Sequence, residues 1–159
     1  EAAGRPALVP LVQSGIDVWH DSSPRQIFGN SNSNVVVDGI DTTTVRGKNE
    51  VLWGPIAEPG VIAVTITWGV FSGPTRFRYL AEWDMLLDDD ASNWGWGIAP
   101  AHAIDTLSIV THELGHALGL GHSDVSCTAE TMHRWYTSSS IAPRDLAAGD
   151  IAGLQNLYG

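Results

Sequence analysis

The residues with the clearest chemistry lie in one run, His112-Glu113-Leu114-Gly115-His116-Ala117-Leu118-Gly119-Leu120-Gly121-His122. On a helix, residues four apart share a face, with Cβ atoms roughly 6 Å apart. His112 and His116 so placed aim two imidazoles at one metal ion. Glu113 falls beside that pair, off the metal but within reach of a metal-bound water. His122 stands six residues beyond His116, and a continuing helix would swing it away at about 100° per residue. A positive-φ glycine at Gly119 breaks the helix and turns His122 back. Three neutral nitrogens and one open position describe a catalytic zinc site rather than a closed structural one.

That geometry needs a helix with defined ends. Asp105 is placed as its N-cap, and Leu107, Val110, Leu114 and Ala117 or Leu118 form its apolar face. Gly119 and Gly121 end it. Upstream, Val61–Trp68 alternates large apolar residues with smaller ones, as a strand does. Phe77–Leu87 alternates again, with Phe77, Tyr79, Ala81, Trp83, Met85 and Leu87 on one face and Arg78, Glu82 and Asp84 on the other. The Gly73-Pro74 turn joins the two. Leu8, Leu11, Val12, Ile16 and Trp19 have helical spacing. Val35–Val37 and Val51–Trp53 read as short strands, 21–34 and 88–103 as loops, and Asp150–Leu157 as a short last helix.

The composition narrows the function classes. The chain has 159 residues, 18 acidic against 8 basic, a formal charge of −10, and 43% hydrophobic residues. That apolar content excludes a disordered chain and suits one core. A single lysine, Lys48, and no basic face argue against nucleic acid as partner. No run approaches the roughly 20 apolar residues of a membrane span. One cysteine, Cys127, excludes an intrachain disulfide framework. Seven tryptophans, widely spread, read as core packing before they read as a sugar platform. The chain opens on Glu1 without Met or a signal-peptide pattern and reads as a processed or trimmed piece.

The run His-Glu-x-x-His-x-x-Gly-x-x-His is similar to the zinc motif of the metzincin peptidases, and Ser123 after the third histidine resembles the matrixin branch. Thr131-Met132-His133 resembles the methionine turn of that family, with Met132 as floor under the imidazoles. Leu146–Gly159 resembles the last helix of a matrixin catalytic domain. Ala81–Leu87 resembles the edge strand above the cleft, followed by a loop ending in Asn93-Trp94. The resemblance covers about 61–159. It implies an α+β fold: a twisted, mostly parallel sheet with an antiparallel edge strand, an active-site helix and a C-terminal helix. It implies one catalytic domain over 1–159, with an upper subdomain to about 119 and a lower one from about 120.

By the same resemblance the protein is a secreted, monomeric zinc endopeptidase acting on protein or peptide substrates. One Zn²⁺ is held by His112, His116 and His122, and Glu113 acts as general base on a water whose pKa zinc lowers to about 7. Substrate lies along the strand carrying Trp83 and Met85. Ser108 and Thr131–Tyr136 shape the S1′ pocket, and the small Ser108 implies a pocket for a medium or large apolar side chain. An astacin-like peptidase and a non-catalytic zinc-containing binding module are the alternatives; Ser123 disfavours the first and Glu113 the second.

The chain departs from the family pattern in several places. His122 and Met132 are ten residues apart, about two more than usual. Glu82 stands at a structural-zinc histidine place with no His/Asp cluster before it, so no second zinc is expected. After Met132 only Tyr136 keeps the usual pocket wall. Arg134 stands where some metzincins place a metal-approaching Tyr; it is either an oxyanion-stabilising cation or a surface arginine. Gly149 replaces the first of an Asp pair, leaving Asp150. Asp88, Asp89 and Asp90, with Asn93, are candidate Ca²⁺ ligands or a solvated acidic loop. Cys127 lacks the context of an inhibitory pro-segment cysteine and reads as a buried or idle thiol, with redox control or zinc blocking as the alternative. His20, His102 and His133 lack partner spacing.

Overall fold

The computed structural model describes residues 5–31, 37–90, 94–99 and 101–159. The helix expected behind Asp105 forms as α2 (Thr106–Ala117). Asp105 caps it, accepting from the Ser108 backbone N–H at 3.0 Å and the Ser108 hydroxyl at 2.7 Å. The same carboxylate accepts from Ala99 N–H at 3.0 Å and is paired with the Arg144 guanidinium. Leu118 follows as C-cap, and Gly119 adopts φ +88°, so the helix stops where the glycine was expected to stop it.

α1 (Leu8–Asp21) lies against α2. Its buried Trp19 donates Nε1–H to Thr111 O at 2.9 Å, replacing the water its indole would otherwise need. Gly15 permits the close approach, since a Cβ there would come within 2.7 Å of Leu114 Cδ1. α3 (Ala148–Tyr158) closes the chain, with Leu154 fully buried and the Tyr158 hydroxyl donating to Leu118 O at 2.8 Å.

Three strands form the main sheet: β1 (Glu50–Gly54), β2 (Ala63–Val70) and β3 (Tyr79–Asp88), in the order β1-β3-β2. β1 runs parallel to β3, with Glu50 opposite Asp84. β2 runs antiparallel to β3, with Thr65 opposite Met85 and a register irregularity at Trp68/Gly69. A second, two-stranded parallel pair joins β4 (Trp96–Gly97), inside the 88–103 segment that reads as loop, to β5 (Ile104–Asp105), just before α2. The fold is α+β, as the resemblance implies.

One expectation is corrected. The strand at 81–87 is not the edge: β3 is paired on both sides, and β2 is the antiparallel edge among the described residues. Trp83 and Met85 therefore point into the core, at 6% and 0% exposure, and not into a cleft. Their face matches the expected alternation only from Trp83 onward. Phe77 belongs to a 3-10 turn (Thr75–Phe77), and both Phe77 and Tyr79 are exposed. Of Val35–Val37, the first two lie outside the described residues, and Val37 is about half exposed without regular structure.

The opposite face of β3 is buried too, which alternation does not reveal. Glu82 Oε2 accepts backbone N–H groups from Arg46, Gly47 and Lys48. Asp84 accepts from Asp41 N–H and Glu50 N–H at 2.8 and 3.0 Å, and Glu50 in turn accepts from Asp38 and Gly39. In segment 38–49 the backbone N–H groups of Asp38, Gly39, Asp41, Arg46, Gly47 and Lys48 are therefore satisfied by carboxylates rather than by a partner strand. Asp41, Glu82 and Asp84 lie together, and burial pushes the Asp41 and Asp84 carboxyls above their ordinary value.

The cap of α2 makes its own prediction. Burial works to raise the Asp105 pKa, but Arg144 and the backbone and Ser108 donors outweigh it and hold it at about 2. A depressed carboxyl pKa stabilises the fold above the ordinary value of 3.8, and that stabilisation is lost as pH falls toward about 2. The gap corresponds to ~2 kcal/mol. Asp105→Asn should therefore melt well below wild type at pH 7, and the gap should narrow between pH 4 and 2. Thermal melts across that range check it; a gap independent of pH would contradict it.

Candidate metal centre and cleft

His112 and His116 project from the same face of α2, their rings 4.8 Å apart and nearly perpendicular. After Gly119 the chain turns, and the His122 ring comes to 5.3 Å from His112 and 4.7 Å from His116. One nitrogen from each ring lies within 4.8 Å of the others, and His116 Nε2 is 3.2 Å from His122 Nε2. Tetrahedral Zn–N bonds of about 2.0–2.1 Å place neighbouring nitrogens roughly 3.3 Å apart. The donor set and its spacing fit zinc.

The opposite ring nitrogens fix the tautomers. His112 Nδ1 lies 2.6 Å from Thr131 O, and His116 Nδ1 lies 2.8 Å from Leu120 O. A carbonyl only accepts, so Nδ1 carries the proton in both rings and Nε2 presents its lone pair. Burial lowers the His112 pKa to about 4, against an opposing pull from the Thr131 carbonyl, so this ring is neutral at pH 7. Burial also lowers His122, followed by the neighbouring His116.

The Thr131 carbonyl is itself held. Asp150 Oδ2 accepts from Thr131 N–H at 2.7 Å and Ala147 N–H at 2.9 Å, and Oδ1 accepts from Met132 N–H at 3.0 Å. Ser123 N–H donates to Met132 O at 2.9 Å, tying the chain after His122 to the same turn. Met132 is buried against α2, and a Cβ on Gly115 would overlap its Sδ. Gly115 is thus required inside a helix where glycine is otherwise unfavourable. Gly149 has a similar cause: the Glu130 carboxylate fills the space a side chain would occupy and accepts from Asp150 N–H at 3.0 Å.

Glu113 is 5% exposed, and its Oε2 accepts from the Thr65 hydroxyl at 2.7 Å. Burial raises its pKa, opposed by Thr65 and by His116. Sequence reasoning placed Thr65 only as a small residue of an alternating strand. Beside the histidines a cavity of about 500 Å³ is lined by Ile62, Ser108, Ile109, His112, Arg134 and Tyr136, among others. Ser108 is fully buried at its wall, its hydroxyl taken by Asp105. The Tyr136 hydroxyl accepts from Asp105 N–H and donates to Ser140 O, which fixes the ring. Arg134 is exposed, with its guanidinium 5.3 Å from the exposed Trp135 ring.

The remaining candidates are not brought to this centre. Asp88 is buried and accepts from Trp94 Nε1 at 2.7 Å and Asp90 N–H at 3.2 Å. Asp89 faces Arg5 at 3.4 Å, and Asn93 lies outside the described residues. Cys127 is a free, exposed thiol. His20 Nε2 accepts from Phe28 N–H; His133 is the exception, lining the cavity beside His112 and His122 with its Nδ1 buried and without a hydrogen-bond partner among the described residues.

Comparison with known proteins gives the family. The family model described as Matrixin matches residues 67–159, more than half of the chain. Matrilysin of Rattus norvegicus is 41% identical over 64 residues, covering 40% of this chain and 23% of that protein. Matrix metalloproteinase-25 of Mus musculus is 40% identical over 73 residues, covering 45% and 12%. Metalloendoproteinase 1-MMP of Arabidopsis thaliana is 44% identical over 78 residues, covering 46% and 18%. The chain thus spans less than a quarter of the length of each of these relatives. With the motif, the convergent histidines and a match over more than half its length, the chain belongs to the matrixin family of zinc metallopeptidases.

Proposed function

We propose that this chain is the catalytic domain of a secreted zinc endopeptidase, with His112, His116 and His122 as zinc ligands and Glu113 as general base. The observation that carries the reading is the convergence of three imidazole nitrogens with a buried carboxylate beside them. Zinc bound there would supply Lewis acidity, lowering the pKa of water at its open position and polarising the scissile carbonyl.

The chain's own residues do the rest. Glu113 takes the proton of the attacking water and passes it to the departing amine nitrogen, and its raised pKa suits that shuttle. The edge strand β2 offers main-chain hydrogen bonds to an extended substrate. Met132 forms the apolar floor. Ser108, Thr131–Tyr136 and neighbouring residues form the S1′ wall, with the Tyr136 ring fixed at both ends of its hydroxyl. Arg134 lies at the rim as a solvated cation stacked on Trp135. Residues to about 119 form the upper subdomain and those from about 120 the lower one. Secretion accords with the family and with a single thiol; no helix among the described residues is long and apolar enough to cross a membrane.

Three measurements test the reading. Glu113→Gln should keep one zinc per chain but lower cleavage of a denatured protein mixture by at least ~100-fold, the usual weight of a general base. If wild type is as inert as the variant with zinc bound, the peptidase reading fails. Zinc should be retained at pH 7 and released on acidification between the ordinary histidine value of 6.5 and about 4, as protons take the same nitrogens. Metal analysis after dialysis reads this directly. In a peptide library the residue after the scissile bond should be Leu, Met or Phe; selection of only Gly or Ala there would rule out the pocket assignment.

A further inference from the structure

We propose that Thr65 is a positioning residue for Glu113, fixing which carboxylate oxygen carries the proton. The inference rests on the reading of Glu113 as general base and adds a second chain element to it. Thr65 lies on β2, opposite Met85 of β3, so its backbone is fixed by the sheet. Its hydroxyl oxygen is 2.7 Å from Glu113 Oε2 and 3.2 Å from the Glu113 backbone carbonyl. One hydroxyl hydrogen faces two acceptors. The shorter contact, to a charged oxygen, takes it.

The consequence is an asymmetry between the two carboxylate oxygens. The last torsion of a glutamate is broad and roughly two-fold, so a free carboxylate presents either oxygen. Here Oε2 is held against the strand, while Oε1 has no hydrogen-bond partner among the described residues. Glu113 lines both cavities that adjoin the histidine cluster, and with Oε2 held by Thr65, Oε1 is the oxygen left for the cleft. The proton from the attacking water arrives on Oε1 and leaves from Oε1 to the amine nitrogen. Thr65 keeps its own proton throughout. When Oε1 is protonated, Oε2 is a carbonyl-type acceptor and the bond to Thr65 persists. The hydroxyl therefore holds Glu113 in both halves of the transfer without joining it.

A threonine suits this task better than a flexible donor. Its branched Cβ restricts χ1, so the hydroxyl direction is set by the strand. Valine is nearly the same shape but leaves Oε2 buried and without its donor. Serine restores the donor and omits only a methyl group.

The test compares Thr65→Val and Thr65→Ser with wild type and Glu113→Gln. Thr65→Val should lower kcat by about 10–100-fold with KM within about twofold, the loss expected for one hydrogen bond to a charged group. Zinc per chain should stay near wild type, and thermal stability should fall by no more than the loss of one hydrogen bond to a buried carboxylate explains. Thr65→Ser should recover kcat to within about threefold. A Thr65→Val enzyme with wild-type kcat, alongside an inert Glu113→Gln, would overturn the inference and leave the function standing. So would loss of zinc or a raised KM in Thr65→Val, or failure of serine to rescue, since these mark a structural role. A wild type that is zinc-loaded and inert overturns both.

Discussion

The structure depends on one interaction used repeatedly: a buried carboxylate aimed at backbone N–H groups that no helix or strand satisfies. Asp105 does this at the start of α2, Asp150 at the methionine turn, and Glu50, Glu82 and Asp84 along segment 38–50. Such groups must find partners once removed from water, and a charged acceptor binds them more strongly than a neutral one. Eight acidic side chains are buried among the described residues. Much of the formal −10 is therefore internal scaffolding, and a smaller part forms an outward field.

The same interaction reaches the metal centre by two steps. Asp150 fixes the backbone at Thr131 and Met132, and the Thr131 carbonyl then orients His112 through Nδ1. The orientation of an imidazole on α2 thus traces to a residue of α3, 38 positions away in the chain. Asp105 plays the parallel part for the cavity wall. It holds Ser108 and Arg144 directly, and its own N–H donates to Tyr136. Helix cap and pocket wall form one hydrogen-bonded unit and the methionine turn with His112 a second, so a change at Asp105 would be felt at the wall and one at Asp150 at the metal centre.

The metal centre was legible from sequence because helical spacing alone pairs His112 with His116, and a glycine is needed wherever φ is positive, as at Gly119. The Asp105 cap, α1, α3 and the two long strands were legible by periodicity. The order of the strands was not, because alternation records faces and is silent about neighbours; the edge was therefore assigned to β3 when it belongs to β2. Burial of Glu82 and Asp84 was invisible for a related reason. A carboxylate on the second face of a strand looks solvated until the loop that donates to it is located. Gly115 and Gly149 carried a signal that could have been read, since a glycine inside a helix usually has a packing cause. That cause was a contact from 17 or 19 residues away, Met132 in one case and Glu130 in the other.

The convergence of the histidines carries a cost that links metal to fold. His116 Nε2 and His122 Nε2 face each other at 3.2 Å, and with the His116 proton on Nδ1 it is His122 that donates to this contact in the absence of a cation. Binding a cation there requires the His122 proton to sit on Nδ1, so that the Nε2 lone pairs of both rings are free for the metal. The turn at Gly119 and the Ser123–Met132 bond hold His122 in this arrangement beforehand. Part of the stability supplied by the carboxylate scaffold thus goes into holding three ring nitrogens converged before any cation arrives. Stability should accordingly rise with zinc by mass action, and the segment from Gly119 to Met132 should be where that gain is felt most.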